Sequence, residues 1–168
     1  MSSQANASEF PFPEQGKLTE FDYNIVTSTY GISTAPVLLA STVVLVNNAN
    51  NRVWLNGTVD WSYSFAGGSG TASVLFEVLR GDTVIYSAMQ SIVSVVTVGG
   101  FIVYNQAHLQ HVDTTPVPAA QTPFTAPFTP VLYKLQARVL TAPAGGGITS
   151  APAVLTAAEV IPNSPVRF

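Results

Sequence analysis

Residues Arg52–Phe65 read RVWLNGTVDWSYSF. Every second position is small or apolar: Val53, Leu55, Gly57, Val59, Trp61, Tyr63 and Phe65. The positions between them, Arg52, Trp54, Asn56, Thr58, Asp60, Ser62 and Ser64, are polar except for Trp54. Successive side chains of a strand point to opposite faces, so this stretch is a long half-buried strand with one core face. Ala66–Gly70 follows as a flexible connection, and Thr71–Leu79 resumes a strand. Arg80-Gly81-Asp82 turns it into Thr83–Gln90 as a hairpin. Val37–Val46, Ile92–Val98, Phe101–His111, Val131–Leu140 and Pro152–Ile161 bring the expected strands to eight. Gly99-Gly100 and Ala144–Gly147 separate them, and Thr114–Pro130, with five prolines, is a long loop. No stretch of ten residues carries a helical period. The expected fold is all-β: an eight-stranded antiparallel sandwich, of which the jelly roll is the commonest form.

Several of these strands are too apolar for a sandwich standing alone. Val43-Val44-Leu45-Val46 is apolar on both faces, and in Ile92–Val98 only Ser94 and Thr97 are polar. The outer face of an isolated two-sheet domain meets water and should turn polar at every second residue. Something is expected to cover these faces. Thr114–Pro130, with Phe124 and Phe128, is long enough to do so, but a neighbouring subunit is the preferred cover. Only 9% of the 168 residues are charged, against roughly 25% in an average soluble protein. Residues 1–30 hold Glu9, Glu14, Glu20 and Asp22 against Lys17, so the whole net charge of −3 lies there, and the rest is balanced. The same segment carries Phe10-Pro11-Phe12-Pro13, a stretch with preset backbone angles and two aromatic anchors. The domain reading is therefore a connector arm over 1–22 and a single β-sandwich domain over 23–168. Phe10, Pro11, Phe12, Pro13, Phe21, Tyr23 and Ile25 are the expected subunit-interface residues.

The chain offers little to chemistry. It has no cysteine, which removes disulfides, thiolate metal sites and cysteine nucleophiles together. No basic run exists to hold phosphates, so no nucleic-acid partner is expected. The two uncharged stretches, Asp22 to Arg52 and Asp82 to Asp113, are broken by polar residues and prolines well short of an apolar span. His108 and His111 are three apart and fall on opposite faces of a strand, so they cannot chelate one metal. His111 and Asp113 share a face and could orient an imidazole, but no G-x-S-x-G elbow supplies a nucleophile. The remaining acids are scattered, and the glycine clusters at 67–70 and 145–147 lack the lysine and helix of a phosphate loop. Trp54, Trp61, Tyr63 and Phe65 could stack on sugar rings, but they occupy both faces, so core packing is the better reading. An eight-stranded outer-membrane barrel would need an unbroken last strand, which Pro162 and Pro165 interrupt. No catalysis, cofactor or metal is expected. MSSQANASEFPFPEQGK lacks the basic and apolar regions of a secretory signal, so none is expected.

Certain segments are similar to known proteins. They run from Asn51-Arg52-Val53-Trp54-Leu55-Asn56-Gly57-Thr58-Val59-Asp60-Trp61 through Val74–Arg80 and Val84-Ile85-Tyr86-Ser87. His111–Pro116 and Tyr133-Lys134-Leu135-Gln136-Ala137-Arg138 follow. This succession, over roughly residues 40–160, resembles the small jelly-roll proteins of bacterial spore surfaces, exosporium proteins and endospore-appendage fibre subunits among them. The resemblance implies a homopolymeric structural protein whose N-terminal connector docks on its neighbour, by strand augmentation or in a groove. It also implies a place on a spore or cell surface, as an extracellular fibre, with an anchoring protein as a possible partner. Where the best-known appendage subunits join their connectors through cysteines this chain has none, so its contacts are non-covalent. The alternative is a non-catalytic binding module, either a trimeric tumour-necrosis-factor-like tip or a sugar-binding sandwich.

Overall fold

The computed structural model describes residues 18–95, 99–117 and 128–162. Nine strands are formed: β1 (Leu18–Val26), β2 (Tyr30–Ile32), β3 (Val37–Val46), β4 (Arg52–Phe65), β5 (Gly70–Arg80), β6 (Thr83–Ser94), β7 (Phe101–Asp113), β8 (Thr129–Thr141) and β9 (Gly147–Val160). One sheet runs β1-β9-β4-β7, with β2 also paired to β9; the other runs β3-β8-β5-β6. Every pairing is antiparallel. β1 and β2 lie along the same side of β9, against Ala153–Val160 and Ile148–Ser150 respectively, and so act as one interrupted strand. With that strand counted once, the chain crosses between sheets at every connection except the β5–β6 hairpin. This is the eight-stranded jelly roll.

The eight positions are not filled quite as the sequence reading has them. Ile92 does not open a new strand: Ser91 pairs Ser73 and the ladder runs on to Ser94 against Gly70. Nothing between Gln90 and Ile92 forms a turn, so the strand simply continues. Residues 96–98 lie outside the described residues. The missing position is taken by β1 and β2. Leu18–Asp22, assigned to the arm for their acids, are part of β1, paired to β9. The arm boundary at residue 22 is therefore corrected to lie no later than Leu18.

β4 follows its alternation in full, with all seven odd-numbered residues buried. Trp61 meets Phe76 of the opposite sheet edge-on, ring centroids 6.1 Å apart. Phe65 stacks on Phe101 at 4.8 Å. At Gly146 an added Cβ would stand 2.1 Å from the Tyr63 hydroxyl, so only glycine lets the β8–β9 turn lie on that ring. β9 begins with even-numbered residues inward (Ile148, Ser150) and ends with odd ones (Ala153, Leu155, Ala157, Glu159). The switch falls at Pro152, beside the register shift between Val59 and Trp61. A proline in a central strand is tolerated at such a bulge, and one extra residue exchanges the two faces. Gly81, with φ of 59°, takes the first central position of the two-residue β5–β6 turn, as a type II′ hairpin requires.

One end of the sandwich is closed by polar groups. Asp113 and Glu159 flank Val53 on a single rung of the first sheet. Asp113 accepts from Arg80 Nη1 at 2.9 and 3.0 Å, from Tyr133 Oη at 3.0 Å and from the Thr115 amide at 3.1 Å. Arg80 Nη1 also donates to the Thr115 carbonyl. Burial first, and the Asp113 carboxylate second, push the Tyr133 phenol above its ordinary pKa. Glu159, fully buried, accepts from Asn47 N at 2.7 Å, Asn47 Nδ2 at 2.8 Å, Asn51 Nδ2 at 2.9 Å and Thr19 Oγ1 at 2.5 Å. The β3–β4 turn and the start of β1 are thus tied to β9 through one carboxylate.

Candidate interaction surfaces

The groups singled out for chemistry do not come together. His108 lies exposed on the outer face of β7, Nδ1 3.5 Å from Thr58 Oγ1. His111 takes the other face and stacks on Tyr86, ring centroids 5.4 Å apart. Asp113 shares that face but is committed to Arg80, Tyr133 and the Thr115 amide. Among the described residues no three His, Cys, Asp or Glu side chains are placed to hold a metal ion. No helix there is long and apolar enough to cross a membrane.

Apolar side chains that face outward are the more informative feature. On β1, Phe21, Tyr23 and Ile25 are 52%, 58% and 56% exposed. Alternation puts all three on the outer face, because Asp22 and Asn24 occupy the other. Three of the expected interface residues therefore stand side by side on an outer surface. The other four, Phe10, Pro11, Phe12 and Pro13, lie outside the described residues. Phe21 pairs Ala158, Ala158 pairs Trp54 and Trp54 pairs Val112, so one apolar row crosses the whole sheet. Leu18, Phe21, Trp54, Ala158 and Val160 line a hollow of ≈ 390 Å³ on this face. Trp54 corrects the core-packing expectation: Trp61, Tyr63 and Phe65 are core, whereas Trp54 is half exposed.

β1 is held at the sheet edge by a side-chain clasp. Asp22 Oδ2 accepts from Thr42 Oγ1 at 2.5 Å and from the Val43 amide at 3.2 Å, an N–H on the free edge of β3. The Thr42 hydrogen bond, the largest influence, and the Val43 amide hold the Asp22 carboxyl below its ordinary pKa, against the opposing effect of burial. On its other side β1 pairs with no strand among the described residues.

The outer face of the second sheet is also apolar. Val43 and Leu45 are exposed while Val44 and Val46 are buried, so β3 is apolar on both faces. Leu132 pairs with Val43, and Pro130 with Leu45. Near the opposite edge Met89 and Val93 of β6 are exposed, with Val95 just beyond. Between the two patches lies a polar strip, where Gln136 Nε2 donates to Glu77 at 2.9 Å and Arg138 lies 3.8 Å from the same carboxylate. Of the loop expected to cover an apolar face, residues 118–127 lie outside the described residues.

No family model matches this chain, and no curated protein matches it. Among solved structures it is similar to a chain of "Crystal structure of the T13 IBDV viral particle reveals a missing link in icosahedral viruses evolution", at 12% identity and a TM-score of 0.34. That match covers 88% of this chain and 41% of the other. It is also similar to a chain of "Structure of infectious bursal disease virus Gt strain", at 13% identity and a TM-score of 0.33, covering 90% and 39%. The present chain spans about two-fifths of the length of the chains it matches. Likeness at this level says nothing of what the chain does.

Proposed function

We propose that this chain is a non-catalytic, self-assembling structural subunit of a fibre on a spore or cell surface. Its copies join by contacts between the apolar outer faces of their strands, and residues of the N-terminal segment, Phe10, Pro11, Phe12 and Pro13, dock on the neighbour. The observation that carries this reading is the file Phe21, Tyr23 and Ile25, exposed on an edge strand beside the row that ends in Trp54 and Val112. Contiguous apolar surface of this kind is rare on a protein that works alone, and it marks an interaction site. Burying one such side chain contributes about 1.5–3 kcal/mol, so three together stabilise a repeated joint. A polymer needs two different surfaces that meet head to tail, and the exposed faces of the two sheets provide two.

Negative-stain microscopy and sedimentation of the purified chain test this. Filaments, or a concentration-dependent series of oligomers, are the expected result; a monomer at all concentrations overturns the reading. Deleting residues 1–17, which leaves β1 whole, tests the arm. Filaments of unchanged morphology from the truncated chain would remove the arm from the joint. Immunogold labelling of sporulating cells tests the location.

A further inference from the structure

The first sheet carries a second hollow on its outer face, toward the end opposite Asp113 and Glu159. It has a volume of ≈ 680 Å³, and its lining includes Thr29, Asp60, Ser62, Tyr104, Asn105 and Gln106. Its floor is one rung across three strands, because Ser62 of β4 pairs with both Tyr104 of β7 and Thr149 of β9. The Ser62 and Thr149 hydroxyls share a hydrogen bond of 3.0 Å. Two rungs further along, on the same face, Gln106 Nε2 donates to Asp60 Oδ1 at 2.6 Å, which ties the two groups together; Asp60 Oδ2 has no hydrogen-bond partner among the described residues. Asn105 Oδ1 accepts from the Gln106 amide at 2.9 Å. Tyr104 stands at this site 78% exposed, an aromatic ring that packs on no other ring among the described residues.

The chemistry of the lining narrows the ligand. No lysine or arginine lines the hollow, so a phosphate, sulfate or other anion would find no counter-charge. Ile102 and Ala151 add apolar surface to the lining, but its carboxylate, amide and hydroxyl groups would be left without partners by an aliphatic tail. What remains matches a neutral polyhydroxyl ring. Planar carboxylates and amides accept from and donate to adjacent hydroxyls, and the apolar face of the ring needs an exposed aromatic surface. We propose that this hollow is a binding site for a neutral saccharide. Tyr104 is the stacking platform, Asp60 and Gln106 hold a pair of ring hydroxyls, and the Ser62–Thr149 pair closes the floor. The site is separate from the assembly reading and does not rest on it.

Native affinity electrophoresis of the full chain, loaded below the concentration at which it assembles so that it enters the gel, tests the assignment, in gels cast with mannan, laminarin or xylan as neutral probes and hyaluronate or dextran sulfate as acidic ones. The wild-type chain is retarded by at least one neutral polymer and by neither acidic one. Tyr104→Ala and Asp60→Ala each weaken that retardation about tenfold or more, equivalent to about 1.4 kcal/mol. Tyr104→Phe stays within about twofold, and His108→Ala, on the same face but outside the hollow, leaves retardation unchanged. The proposal is overturned if no neutral polymer retards the chain, if only acidic ones do, or if Tyr104→Ala binds as wild type. It is also overturned if Tyr104→Ala abolishes assembly in parallel sedimentation, because the hollow would then be a contact between copies. A wild-type chain that binds sugar yet never assembles would overturn the fibre reading and leave this one standing.

Discussion

Glu159 is a carboxylate at 0% exposure with no cation beside it among the described residues; the donors described there are neutral, two from Asn47 and one each from Asn51 and Thr19. Removing it leaves the buried Asn51 amide, and the more accessible Asn47 and Thr19 donors, without this acceptor; a buried group so stranded costs about 1–3 kcal/mol, and one that water can reach costs less. Glu159→Ala should therefore lose on the order of 3–5 kcal/mol in urea unfolding, and Glu159→Gln, which keeps one acceptor oxygen, should fall between. A Glu159→Ala protein within about 0.5 kcal/mol of wild type, the usual range of a surface substitution, would show that the network is not structural. From the sequence, Glu159 is one more scattered acid. Its donors lie more than a hundred residues away along the chain, and only the folded sheet order brings them to it. The same holds for Tyr104 and Asp60, which form no motif and meet only because β4 and β7 pair in this register.

Among the elements, β1 is held by a contact that responds to pH. The Asp22 carboxyl titrates below its ordinary value of 3.8, chiefly because Thr42 donates to its charged form. A depressed carboxylate pKa stabilises the fold at every pH above the unfolded value, and that contribution is lost as pH falls through the lower, folded one. The clasp between β1 and β3 is thus intact at neutral pH and opens only in acid, below about pH 4. Amide protection factors, which remove the intrinsic pH dependence of exchange, should fall at Val43 and along β1 over that acid range and stay flat from pH 5 to 8. Asp22→Asn should show fast exchange at neutral pH, and equal protection in the two proteins at pH 7 would refute the clasp. That β1 is a strand at all was harder to read than β4. Both alternate, but β1 alternates aromatic residues with acids, a pattern that a solvated arm shares. The β5–β6 hairpin was legible because Gly81-Asp82 satisfies a specific turn geometry. The end of β6 was not, since an apolar run carries no mark of where pairing stops. Pro152 would by itself argue against a central strand, and only the bulge it occupies reconciles the two.

For the molecule as a whole, the acids and bases of residues 31–168 cancel, and no cysteine is present. Assemblies of this chain are expected to be indifferent to dithiothreitol, with weak dependence on salt. The outer face of β1 gives the sharper prediction. Phe21, Tyr23 and Ile25 contribute little to the core, so replacing all three with serine should leave a folded protein of near wild-type stability that sediments as a monomer. Undiminished assembly by that variant would move the joint to the second sheet. A mechanical consequence follows from the register of the edge strand. Leu18 and Val160 are partners, so the described chain enters and leaves the sandwich at the same end. A force pulling these two points apart would peel β1 from β9 one rung at a time, instead of loading the whole ladder in shear. A filament under tension could not pass its load between Leu18 and Val160 of one chain without unzipping this pair. The force would have to enter by one end and leave through the broad face of a sheet, where many contacts strain together.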